Sequence, residues 1–120
     1  MTSANKSAGE KVISILQSRC WSDSATRMHS EIALALRNNG FFVSREVRAL
    51  YRGRAGRIDL FAVDDETKGA VAIELDRLTP RVKSAEKLRK FEAFRLIALR
   101  ASECNQMLDG IDAIVLLAVI

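Results

Sequence analysis

The chain reads as an α/β protein in which a mixed β-sheet is flanked by helices. Two early stretches carry apolar residues at helical spacing, and the middle and end carry short β-branched or aromatic runs bounded by turn residues. These interleave as helix, helix, three strands, helix, strand, helix, strand, a pattern that buries one sheet between helical layers. At 120 residues, the expected organisation is a single domain over residues 1–120 with one modest core.

The elements follow in order. Residues 1–8, rich in Ser, Asn, Lys and Ala, are expected to be a loose N-terminal tail. Residues 9–20 place Val12, Ile13, Ile15 and Leu16 for a short helix. Ser22-Asp23-Ser24 supplies N-cap chemistry for a second helix, with Met28, Ile32, Ala35 and Leu36 at helical spacing and Asn38-Asn39-Gly40 as its stop. Residues 41–50 read as a strand and 52–56 as a flexible basic loop. Two further strands, 57–63 and 70–76, flank a turn-rich hexapeptide, 64–69. Thr79-Pro80 opens a helix expected to reach about residue 92. Residues 94–101 could extend that helix, but a strand is favoured because a 20-residue helix is less usual. A short helix over 102–108 and a buried strand over 111–120 complete the chain.

Composition limits the functional classes. The longest apolar run, residues 113–120, is strand-sized, so no membrane span is expected. The N-terminus lacks the pattern of a secretory signal. Cys20 and Cys104 have neither metal-ligand spacing nor a disulfide framework, and the cytoplasm is the expected compartment. With one histidine, His29, no histidine metal cluster or catalytic triad is expected; His29 itself reads as a packing or surface residue. The net charge of +4 is unevenly placed. Arg45, Arg48, Arg52, Arg54 and Arg57 face a single acid, Glu46, and a second basic block runs from Arg77 to Arg100. Two such blocks suit a phosphate backbone, which arginine grips with its bidentate fork.

Between the blocks lies the pattern that carries the functional argument. If the turn over 64–69 is symmetric, antiparallel pairing sets Val63 opposite Ala70, Phe61 opposite Ala72, Asp59 opposite Glu74 and Arg57 opposite Asp76, all on one face. Directly opposed side chains lie roughly 5 Å apart, where like charges repel. A divalent cation held between the two carboxylates would relieve that repulsion. Glu31 adds a third acid, beside Ala35 and within one turn of Met28 on the helical wheel, at the edge of the apolar stripe.

The segments Ser30-Glu31-Ile32-Ala33-Leu34-Ala35-Leu36, Asn39-Gly40-Phe41-Phe42-Val43, Gly56-Arg57-Ile58-Asp59-Leu60 and Ile73-Glu74-Leu75-Asp76 together resemble the PD-(D/E)XK nuclease superfamily. Their order is similar to that in archaeal Holliday junction resolvases and VRR-NUC nucleases, and the resemblance covers roughly residues 25 to 95. It implies a restriction-endonuclease-like core of order α-β-β-β-α-β and a Mg²⁺ site, with Mn²⁺ as a substitute, built from Glu31, Asp59 and Glu74. It also implies phosphodiester hydrolysis by a metal-activated water, with DNA, including branched or structured DNA, expected ahead of RNA.

The sequence departs from the superfamily pattern in one chemically important place. Asp76 stands where the motif carries a lysine, and is read as an added ligand for a second metal. Lys83, Lys87 and Lys90 form a stripe on the following helix, from which Lys87 is the first candidate to replace the missing lysine and Lys83 the second. Arg52, Arg54 and Arg57 are expected to contact backbone phosphates, and Arg77 and Arg81 the phosphates nearest the metal. A homodimer would supply two sites for cutting both strands. An RNase or toxin of the same fold, a non-catalytic nucleic-acid-binding relative and a plain structural protein stay open as alternatives.

Overall fold

The Thr2 hydroxyl accepts the Asn5 amide at 3.1 Å and so caps the first helix, α1 (Ser3–Gln17). The computed structural model describes residues 1–120. The expected loose tail at 1–8 is therefore helix from Ser3 onward. Small Ser and Ala side chains hide this from an apolar count, but Ala8 is fully buried and Asn5 Oδ1 accepts the Ala70 amide at 2.8 Å. Ser24 caps α2 (Ala25–Asn38), which stops where Gly40 turns at φ +88°.

Two long strands follow, β1 (Phe41–Tyr51) and β2 (Arg54–Asp64). Tyr51 pairs with Arg54 across a two-residue turn of Arg52 (φ +48°) and Gly53 (φ +73°), a geometry that matches the twist of a hairpin. The expected flexible loop over 52–56 thus contracts to two residues, and 54–56 belong to β2. The next strand, β3 (Ala70–Asp76), pairs with β2 in the predicted register, Val63 with Ala70 and Phe61 with Ala72.

The helix expected over 79–92 is confined to α3 (Val82–Leu88). Beyond it the Lys90 and Phe91 amides bond back three residues to Lys87 and Leu88, and Phe91 leaves the helix to pack on Phe61, ring centroids 5.4 Å apart. Residues 94–101 are strand as expected, β4 (Phe94–Leu99). The segment 102–108 is irregular rather than helical; beyond it, side chains of Arg89 and Arg95 hold the Asp109 and Gly110 carbonyls. The last strand is shorter than expected, β5 (Ala113–Leu116), with Val119 forming an isolated bridge to Trp21.

The result is a compact α/β arrangement of three helices on a five-stranded mixed sheet, in order β1-β2-β3-β4-β5. β2 is antiparallel to both β1 and β3, whereas β3, β4 and β5 are parallel to one another. One face buries Leu60, Ala62, Val71, Ile73 and Leu96 against α1 and α2. The other buries Ile58, Ala72, Ile97 and Leu99 against Ala85 and Leu88 of α3. No helix is long and apolar enough to cross a membrane.

Candidate active site

The ladder between β2 and β3 ends at Leu60–Ile73, one step short of Asp59 and Glu74. Carboxylates replace carbonyls there. The Asp59 amide donates to Glu74 Oε1 at 2.9 Å, and the Leu75 amide donates to Asp59 Oδ2 at 2.7 Å. The two acids therefore do meet, but not as a simple pair on one face.

Strand alternation breaks at this level. Ile58 joins the α3 side of the core while Leu60, two residues on, joins the α1/α2 side; regular pleating would put both on the same face. The β1–β2 pairing skips the same level, passing from Arg45–Leu60 to Val47–Ile58, with Glu46 between them at φ +53°. Asp59 is consequently turned toward α2, its Oδ1 3.9 Å from His29 Nδ1. Glu74 points toward α3, where Lys87 Nζ lies 2.9 Å from its Oε2. Glu74 thus keeps the expected face with Ala72 and Phe61, whereas Asp59 leaves it, and the expectation that the two acids share one face is corrected by this break.

Burial sets the electrostatics. Glu74 is 1% exposed, and both its desolvation and the nearby Asp59 charge push its pKa up, against the opposing pull of Lys87. Asp59 is also pushed up, mainly by burial and further by Glu46, against the Leu75 amide, His29 and Lys87. Lys87 donates to the Arg57 carbonyl at 2.7 Å, and Glu74 Oε2 is left with a close cation but no aligned hydrogen bond. Gly56 lets the lysine through: a Cβ there would stand 3.3 Å from Lys87 Cδ and 2.9 Å from the Ala49 carbonyl.

The other sequence-derived candidates are placed differently. Glu31 accepts the Ser22 amide at 2.8 Å and lies 4.0 Å from Arg19. Asp76 accepts the Arg81 amide (2.8 Å), Arg81 Nε (3.1 Å) and the Ser84 hydroxyl (2.8 Å), so it tethers the start of α3. No three of Glu31, Asp59, Glu74 and Asp76 bring ligand atoms within 4.8 Å of one another, and this four-acid set does not fit a shared metal. Lys83 stands over the Tyr51 ring at 5.5 Å. Arg52 makes a two-pronged contact with Glu86, at 3.1 and 3.2 Å. Arg54, Arg57 and Arg77 are exposed.

His29 and Glu46 are the residues that sequence reasoning passed over. His29 precedes Ala33 by one turn inside the buried stripe of α2, a signal for an inward-facing ring. Glu46 is placed opposite Asp59 by the two-residue turn at Arg52-Gly53, a register legible only once that turn is known. Among known proteins, no family model matches the chain and no curated protein matches it.

Proposed function

We propose that the chain is a metal-dependent nuclease with a restriction-endonuclease-like core, hydrolysing phosphodiester bonds of nucleic acid, DNA ahead of RNA. The observation that carries this reading is the run Asp59–Glu74–Lys87. Two acids meet where β2 and β3 part, and a lysine from α3 stands 2.9 Å from the second acid, although β3 itself carries Asp76 at the motif position. Lys87, with its side chain 8% exposed, keeps a cation beside a buried carboxylate and supplies positive charge where a phosphate would gain negative charge. Arg54, Arg57 and Arg77 are free at the surface to hold flanking phosphates. A divalent cation held at Asp59 would supply Lewis-acid activation of water.

Nicking of supercoiled plasmid with Mg²⁺ and with Mn²⁺, set beside Asp59→Ala and Glu74→Gln, tests the proposal. Wild-type cutting that both substitutions reduce by at least about a hundredfold supports it. Equal cutting by all three, or no cutting of DNA or RNA by the wild type, overturns it. A non-catalytic nucleic-acid-binding role is the second reading, favoured by the engagement of Glu31 and Asp76 in ordinary structural bonds. Salt-sensitive DNA binding without cleavage would distinguish it.

A further inference from the structure

We infer that His29, Glu46 and Asp59 form a binding site for a divalent transition ion of the Mn²⁺–Zn²⁺ class. One ligand atom from each lies within 4.8 Å of the other two, and the three come from α2, β1 and β2. Around an ion with bonds of about 2.1 Å, ligand atoms stand about 3–3.5 Å apart, so closure asks for small rotations only. Glu46 is exposed and free to make them.

Charge and bonding at the site suit a bound cation. Glu46 and Asp59 bring two carboxylates together with no lysine or arginine within 4.0 Å of either; the one basic side-chain nitrogen that near is His29 Nδ1, 3.9 Å from Asp59 Oδ1. That distance is too long for a hydrogen bond. The side chains of His29 and Glu46 accept and donate no hydrogen bond within the chain, so their ligand atoms are uncommitted. Asp59 is already oriented, because the Leu75 amide holds Oδ2 and leaves Oδ1 toward His29. Outer hydrogen bonds of this kind fix metal-binding carboxylates. An imidazole nitrogen among carboxylates favours a transition ion over Mg²⁺, which prefers oxygen donors.

This assignment shares Asp59 with the nuclease reading and in that respect rests on it, but it is tested without nucleic acid. Calorimetric titration of the whole chain with MnCl₂, ZnCl₂ and MgCl₂ is expected to show one Mn²⁺ or Zn²⁺ bound at least about tenfold tighter than Mg²⁺. His29→Gln and Glu46→Gln are each expected to weaken that binding at least about tenfold, whereas Glu31→Gln and Asp76→Asn leave it within about twofold. Far-UV circular dichroism checks that each variant is folded, and Glu46, being exposed, provides the variant least able to disturb the core. Absence of Mn²⁺ and Zn²⁺ binding, or binding that survives the paired His29→Gln and Glu46→Gln change, overturns the site. A chain that binds the ion as described but cuts no nucleic acid leaves the site standing and removes the nuclease reading. Cutting that is indifferent to both substitutions, with no metal bound there, does the reverse.

Discussion

Asp59 and Glu74 stand in for backbone in each other's strands: the Glu74 carboxylate takes the Asp59 amide, and the Asp59 carboxylate takes the amide of Leu75. Two acids that would repel as a plain cross-strand pair are thereby fastened where the strands separate. The arrangement joins a structural duty to a chemical one, and substitutions can separate them.

Asp59→Asn keeps an acceptor for the Leu75 amide while removing a charge whose folded-state pKa is raised. A carboxylate raised in the folded state favours folding below its unfolded pKa and loses that contribution as pH rises through the folded value. The asparagine variant is therefore expected to melt above wild type at pH 7, with the difference closing as pH falls through the raised folded value and gone below about 4. Thermal unfolding in metal-free buffer between pH 3 and 8 checks it. A variant less stable than wild type across the range would show that the carboxylate contributes more than it costs.

Lys87→Met should strand the Glu74 carboxylate in the core without its cation, costing about 3 kcal/mol in denaturant unfolding at pH 7. Adding Glu74→Gln should return much of that loss. If the double variant is as unstable as the sum of the single ones, the ion pair is not what the lysine contributes.

Gly56→Ala places a methyl group against the Ala49 carbonyl and the Lys87 stem. Backbone must yield before the flexible lysine does, and an overpacking cost of about 1–3 kcal/mol is expected. Nicking activity should fall as well, through displacement of Lys87, and comparison of melting temperature with cleavage rate separates the two effects.

Asp76→Ala removes the acceptor for the Arg81 amide, Arg81 Nε and the Ser84 hydroxyl. Loosening the start of α3 should lower stability by about 2–4 kcal/mol, because a buried network loses its centre. Metal affinity measured by titration should change little under conditions where the variant is folded. A large loss of affinity with unchanged stability would restore Asp76 to the ligand set.

The turn over 64–69 made the β2–β3 register legible, because equal arms fix which residues oppose. The same symmetry brought Asp59 and Glu74 to one level. What it could not reveal was the change of face between Ile58 and Leu60, since strand alternation is assumed in any such reading and the break lies opposite Glu46, which adopts φ +53° in the neighbouring strand. On the helical wheel Glu31 lies at the edge of the apolar stripe and reads as a third acid, while a lone His29 reads as a packing or surface residue. The structure turns Glu31 to the Ser22 amide and His29 to the sheet. The start of α1 was hidden by weakly apolar residues whose burial comes from close packing, and the segment 102–108 offered too little apolar surface to hold a helix.

Trp21 binds the far end of the sheet to the helical layer. Its amide donates to the Ala118 carbonyl, its carbonyl accepts the Ile120 amide, and its indole N–H donates to Leu16. The connector between α1 and α2 is thus sewn to the chain's final residues. Four residues after Trp21, α2 begins, and it carries His29 to its meeting with Asp59. The seam at one border of the sheet thereby braces the connector that leads into the helix reaching over the other.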